Sequence, residues 1–345
     1  MSDKSVIRVL VSAIGGDVGQ AIVKSLRMSG EKIICHGCDI SDNELGKLYV
    51  NSFRIVPPSM DTDYIPQIDT MARDLDVDVF FPASEQEISV LAEAGFSRRL
   101  PGGTPVICQD VSIIRTFGDK LRCLDTLQGK VPLAPYADGH NRESVEKLIA
   151  ISGFPLVIKE RLSRGSKFIS IVNNFEDLIT SLRKYEFPLV QEYIDDEFGE
   201  FSIGIFSDSQ TIESIAFRRL LGLTGASWYA ETCNDRAVLE YARKITGIVS
   251  PHGSINIQVR KSSKGVRLLE INPRFSSLTA ARAACGFNDA QWSVDLALNG
   301  TYNKKEKPFK EIRFKRYISE LVDCGKGFEP VPEWLPKKRE TDDIN

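Results

Sequence analysis

The chain has 345 residues, room for two or three compact units, and its 42% hydrophobic and 26% charged residues match a soluble globular enzyme. A net charge of -3 gives no global pull toward nucleic acid or an acidic membrane, and no apolar run reaches a membrane span. The start, Met1 to Ser5, lacks the apolar core of a signal peptide, and seven scattered cysteines point to a reducing, cytoplasmic setting.

Val6 to Val11 reads as a strand, Ser12 to Gly19 as a glycine-rich turn, Gln20 to Met28 as a helix and Ile33 to Asp39 as a second strand. This is the arithmetic of a βαβ unit, and Asp39 sits where a dinucleotide-binding acid is expected. The glycine fingerprint fails at Ile14, where the tight turn needs glycine, so a plain doubly wound domain is favoured over an NAD site. Cys35 and Cys38 have CxxC spacing but no second pair to complete a zinc site, and read as small buried strand residues. Helices at Tyr64 to Leu75 and Glu85 to Gly95 alternate with strands at Val77 to Pro82 and Pro105 to Cys108. A parallel sheet covered on both faces, ending near residue 112, is expected. Glu85 and Glu87 follow a strand end, where such sheets bind ligands; they fit an amine site or a favourable helix start.

A linking helical section, 113–151, contains Gly118-Asp119-Lys120 at a helix start. Phe154-Pro-Leu-Val157 and Phe187-Pro-Leu-Val190 then repeat four residues and predict two strands of one small sheet. Lys159 ends the first, and an ammonium on so apolar a strand needs an anionic partner. Arg161 to Lys167 is a basic loop containing Gly165 and Ser166, whose backbone N–H groups suit phosphate if it is more than a surface turn. Gln191, Glu192, Tyr193 and Ile194 end the second strand. A further unit opens at Glu200 and includes the loop 220–234 and a helix at Arg236 to Gly247. It ends in a strand at Glu311 to Val322, and a polar tail follows. Arg218 and Arg219 precede that loop on opposite strand faces, so at most one meets a site. His252, alone, fits a structural role or a place behind a metal ligand.

The most informative stretch is Leu268-Leu-Glu270-Ile-Asn272-Pro-Arg274. Period-two alternation puts Glu270 and Asn272 on one face and Leu269 and Ile271 on the other. A turn near Lys264 sets Gln258 opposite Glu270. A carboxylate and two amide oxygens on a rigid sheet suit Mg²⁺, and Arg274 supplies a fork for phosphate or carboxylate. A polar-faced hairpin with one surface carboxylate is the bland alternative; Gln258 in register and Arg274 beyond favour the metal site.

With Ala280-Ala-Arg-Ala-Ala-Cys-Gly286 beyond, these residues resemble the ATP-grasp superfamily, nearest the synthetase domains of carbamoyl-phosphate synthetase large subunits and their short stand-alone relatives. The likeness spans residues 6 to 322. It implies a mixed α/β fold: an N-terminal doubly wound parallel-sheet domain (1–112), the link (113–151), a lid (152–194), a catalytic subdomain (195–322) and a tail (323–345). It also implies ATP with two Mg²⁺ ions, for which Mn²⁺ can substitute, held by Gln258, Glu270 and Asn272. Lys120 and Lys159 match the phosphate cations, though Lys120 also fits an ordinary helix start. Gly165 and Ser166 match the lid loop, Gln191 to Ile194 the adenine hinge, and Glu192 and Glu200 the ribose carboxylates. The matching activity is an ADP-forming carboxylate–amine ligation with Lys159 and Arg274 catalytic. Arg218, Arg219, Glu85 and Glu87 stand on the substrate side. Small-molecule carboxylate and amine partners are implied, without nucleic acid or membrane, and a homodimer is compatible. The alternatives are a carbamoyl-phosphate-synthetase-like or thiol-ligating enzyme, and a nucleotide-binding module without catalysis.

Overall fold

A computed structural model of the chain describes residues 6–42, 45–162, 169–208, 210–222, 225–302, 309–317, 321–323 and 328–330. Strands β1 (Ile7–Val11), β2 (Ile33–Asp39), β3 (Ser52–Ile55) and β4 (Val79–Phe81) form a parallel sheet in the order β3-β2-β1-β4. The strand expected at 105–108 shrinks to isolated bridges, Val106 to Phe80 and Pro105 to Arg99, since Pro105 has no N–H to extend the ladder beside β4. Helices α1 (Asp17–Arg27), α2 (Tyr64–Asp74) and α3 (Glu85–Glu93) cover the sheet. Leu10 and Phe80 bury against Ile68 of α2 and Leu91 of α3. On the other face, Val9, Val11 and Ile22 share a core with Phe275, Ala290 and Val294 from the C-terminal part. Phe81 and Phe275 meet with ring centroids 5.7 Å apart, so the N-terminal sheet is anchored beside the hairpin that ends at Asn272. Truncating Phe275 to alanine would cost about 3–5 kcal/mol at so buried a site.

Helices α4 (Val111–Phe117) and α5 (Lys120–Leu127) cross to the second unit. The segment expected as a helical link continues as strand β5 (Tyr136–Asp138) and helix α6 (Arg142–Ser152). Both belong to the lid: β5 is the edge of a sheet ordered β5-β8-β6-β7, with β6 (Leu156–Glu160), β7 (Ile169–Val172) and β8 (Pro188–Glu192). Val145 and Leu148 of α6 pack in the core of that sheet, so the sheet and its packed helices begin at Tyr136, upstream of the Ser152 start expected for the lid. Three residues are too few for a readable alternation, which is why β5 was hidden. The two Phe-Pro-Leu-Val segments lie side by side, with Ile158 opposite Val190. Helix α7 (Phe175–Leu182) packs on the same sheet.

The largest sheet is antiparallel, ordered β13-β12-β9-β10-β11-β14. Its strands are β9 (Glu200–Ser207), β10 (Ile212–Leu221), β11 (Ser227–Cys233), β12 (Gly253–Ser262), β13 (Gly265–Asn272) and β14 (Arg313–Lys315). One face packs on α8 (Arg236–Val249) with α4 and α5. The other meets α9 (Thr279–Ala284) and α10 (Asp289–Asn299). The last strand expected at 311–322 is two pieces: β14, and a separate ribbon of β15 (Leu321–Asp323) with β16 (Phe328–Pro330), which crosses the expected boundary of the tail.

Candidate functional site

The β12–β13 hairpin places Gln258 opposite Glu270 and Asn256 opposite Asn272. A bulge follows at once: Val259 pairs with Leu268, leaving Leu269 as the extra residue. Strict alternation assigns Leu269 to the core. Instead Leu268 and Ile271 occupy the core, and Leu269 turns into a cavity beside Glu270.

That cavity, about 150 Å³, lies between the lid sheet and the large sheet. Lys159, Gln191, Glu192, Tyr193 and Ile194 line it from the lid side, and Glu200, Arg219, Gln258 and Glu270 from the large sheet, with Lys120 between. Gln191 is the best-prepared wall residue. It is 1% exposed, its Oε1 accepts from Lys159 Nζ at 3.0 Å, and its buried Nε2 has no partner among the described residues. An unpartnered donor on a residue that lines a cavity suits an acceptor atom of a ligand such as a purine once the amide turns toward it. Glu192 is held by Lys264, and the Tyr193 ring lies under Arg260.

Electrostatics sort these groups. Burial lowers the Lys159 pKa to about 8, with Lys120 and Arg260 adding to the fall and Glu270 and Glu200 opposing it. Burial raises the Glu270 pKa, but Lys120, the Asn272 hydrogen bond, Arg219 and Arg274 outweigh it, and the carboxyl stays below its usual range. Glu200 behaves alike: burial pushes it up, and Arg219 and Arg260 bring it lower. Arg219 Nη2 and Arg260 Nη2 each reach Glu200 at 2.7 Å.

Arg219 and Arg218 separate as the strand geometry requires. Arg219 is buried and also donates to Gln258 Oε1, while Arg218 is exposed. Arg219 therefore lines the smaller cavity together with Glu200, Gln258 and Lys120. Arg260 was missed by sequence reasoning, though it lies two residues beyond Gln258 on the same face. It also donates to Ile194 O at 2.7 Å, tying the hinge to the hairpin.

Lys120 and Glu270 line a second cavity as well, about 490 Å³, bounded by α3, α4, α5 and the start of the lid loop. Asn272, Arg274, Glu85, Ser89 and Arg115 face it, with an apolar wall of Ile88, Ile114, Phe117 and Leu162. Asp119 caps α5, accepting from the backbone of Leu121 and Arg122, and binds Arg161 at 2.6 Å, which sets Lys120 at the junction of the cavities. Gly165 and Ser166 lie outside the described residues.

Three oxygens suited to a metal share the hairpin face, and one of the three side chains is a carboxylate. They fit Mg²⁺ that is also held by phosphate, since one charge alone holds the ion weakly. Each already accepts a hydrogen bond: Gln258 Oε1 from Arg219, Glu270 Oε1 from Asn272 Nδ2 at 3.0 Å, and Asn272 Oδ1 from Arg274 at 3.2 Å. Arg274 in turn forms an ion pair with Glu85, its Nε at 2.9 Å, linking α3 to the end of the β12–β13 hairpin.

Glu87, two residues on, is elsewhere. It is 2% exposed, closes the capping box of α3 with Ser84, and accepts from Ser12 Oγ at 2.5 Å and from Tyr64. A buried carboxyl with those partners holds the helix in place and is shielded from an amine substrate. The glycine turn is likewise self-occupied. Ile14 is fully buried, and Asp39 accepts from Gly15 N at 2.8 Å, so the acid that would bind a ribose is spent on its own loop. His252 lies outside both cavities described so far. Cys35 and Cys38 are buried free thiols, as their strand setting suggested.

A family model described as ATP-grasp in the biosynthetic pathway with Ter operon matches residues 185–319. Formate-dependent phosphoribosylglycinamide formyltransferase of Sulfurisphaera tokodaii is 27% identical over 200 residues, covering 52% of this chain and 50% of that protein. The carbamoyl phosphate synthase large chain of Caldanaerobacter subterraneus subsp. tengcongensis is 26% identical over 180 residues, 47% of this chain and 16% of that protein. The chain thus matches half or less of either relative's length. The biotin carboxylase domain dimer of Hydrogenobacter thermophilus 2-oxoglutarate carboxylase was solved with MgADP, ADP and bicarbonate. It superposes with a TM-score of 0.66 at 14% identity, covering 85% of this chain and 69% of that one.

Proposed function

The chain belongs to the ATP-grasp superfamily, and from that premise we propose that it is a carboxylate–amine ligase, forming an amide through an acylphosphate with release of ADP and phosphate. The observation that carries this reading is that the two cavities share Lys120 and Glu270 as wall residues. The first is base-sized and bears the orphan Gln191 donor; the second bears Arg274 and an apolar wall.

In this reading Gln191 to Ile194 receive the base, Glu200 stands ready for the ribose, and Lys159 and Lys120 meet the phosphates. Gln258, Glu270 and Asn272 would hold Mg²⁺, which when bound offsets charge on the transferring phosphoryl group. Arg274 orients the acid carboxylate for attack on the γ-phosphate, sharing its charge with Glu85 until the acid arrives. The residues act by position and charge, so no covalent enzyme intermediate is needed. The apolar wall favours an acid with a carbon skeleton over bicarbonate, which ranks a ligase above a carbamoyl-phosphate-type reaction. The cation set favours catalysis over a passive nucleotide-binding module.

The test is acid-dependent ADP release across a carboxylate panel, repeated with Ser89→Phe, which narrows the second cavity from α3. The KM for the acid should rise about tenfold with the KM for ATP unchanged. Equal KM values for the acid in both proteins would remove the acid from this cavity. ADP release that no carboxylate stimulates would count against the ligase reading.

A further inference from the structure

A third cavity, about 480 Å³, also has Arg274 in its wall. It shares Ile88, Pro273 and Arg274 with the acid cavity, so the two are neighbours with Arg274 in the wall of each. Its other walls come from three parts of the chain: residues 98–110 after α3, the start of β12, and α10. Gln109 fastens the first two together, donating to the carbonyls of His252 at 2.9 Å and Ser254 at 3.1 Å. The cavity is therefore part of a braced junction.

Its charge is one-sided. Arg98, Arg99 and Arg274 face it against a single carboxylate, Asp110. Arg98 pairs with Asp110 at 2.7 Å and Arg274 with Glu85, while the exposed Arg99 guanidinium donates to the carbonyl of Gly103 at 2.7 Å and has no carboxylate partner among the described residues. His252, in the same wall, adds no charge at neutral pH: burial and nearby Arg98 lower its pKa below the usual histidine range. Leu296 and Ala297 of α10 supply an apolar side.

We propose that this cavity admits the second substrate, an amine that carries its own anionic group, with Arg99 holding the anion and the amine directed past Arg274. The proposal rests on the ligase reading and adds the route and charge of the nucleophile. Entry from this side leaves the nucleotide in place while the amine arrives. The neutral nitrogen lone pair forms the bond to the acyl carbon, and the carbon–oxygen bond to phosphate breaks. The phosphate leaves with that electron pair and takes the proton the nitrogen loses.

Aminooxyacetate, an anionic nucleophile, is the probe, and hydroxylamine is its small uncharged counterpart. Its binding to the full chain with MgADP is followed by saturation-transfer NMR in the wild type, Arg99→Glu and Ala297→Phe. The wild type should bind it, and both variants should weaken that binding about tenfold while MgADP affinity holds. With an acid that supports ADP release, Arg99→Glu should lower kcat/KM for aminooxyacetate about tenfold and leave hydroxylamine unaffected. No aminooxyacetate binding to the wild type, or equal binding by Arg99→Glu, overturns the proposal. Because the binding arm needs no turnover, absence of acid-dependent ADP release would count against the ligase reading alone.

Discussion

Lys159 gives a quantitative prediction. Its ammonium is buried with Gln191 as hydrogen-bond partner, and its pKa is about 8 against an ordinary 10.5. About half the molecules therefore carry it neutral at pH 8, and about a tenth at pH 7. A nucleotide phosphate beside it favours the charged form and returns the pKa toward its ordinary value. Binding of MgADP should then take up about half a proton per site at pH 8, falling to about a tenth at pH 7. Titration calorimetry in buffers of different ionisation enthalpy measures that number directly. Subtracting the same experiment on Lys159→Met removes proton changes belonging to the nucleotide and to other groups. A wild-type-minus-variant difference of zero at pH 8, or net proton release, would refute contact between Lys159 and phosphate.

Glu270→Ala should abolish Mg²⁺-dependent ADP formation in a folded protein, checked by circular dichroism; Asn272→Ala, which removes a neutral ligand, should cost about 10- to 100-fold. Glu200→Gln leaves Arg219 and Arg260 facing each other without their buried carboxylate, and urea unfolding should show a loss of about 3–5 kcal/mol. Glu87 has a folded pKa raised to about 7, so between pH 4.5 and 7 the folded state holds a proton that the unfolded state has lost. Stability should fall across that window by about 3 kcal/mol from this group, and Glu87→Gln should flatten the profile.

The hairpin was legible in the sequence because its signal is geometric. Gln258, Glu270 and Asn272 have period-two spacing around a turn that composition marks, and the observed register agrees. The bulge at Leu269 was not legible, since an extra residue in a strand of leucines leaves no mark of its own. The parallel sheet followed from alternating strands and helices, whereas β5, with three residues, carried no period. Charged residues were the hardest to place. Glu85 and Glu87 look alike beside a helix start, yet one meets Arg274 and the other is buried against Ser12 and Tyr64. Which neighbour a carboxylate meets depends on contacts across more than 70 residues of chain, as with Ser12 and Glu87 at a separation of 75. The same holds for Arg219, whose strand position predicted two faces without saying which was buried.

The most direct test of an acylphosphate route is interception. Carboxylates are incubated with the protein, ATP, Mg²⁺ and hydroxylamine, and hydroxamate and ADP are measured together. The account predicts that a true acid yields both in equal amounts, and that adding the natural amine diverts hydroxamate into amide. AMP and pyrophosphate in place of ADP, or acid-dependent ADP release with no hydroxamate, would contradict it.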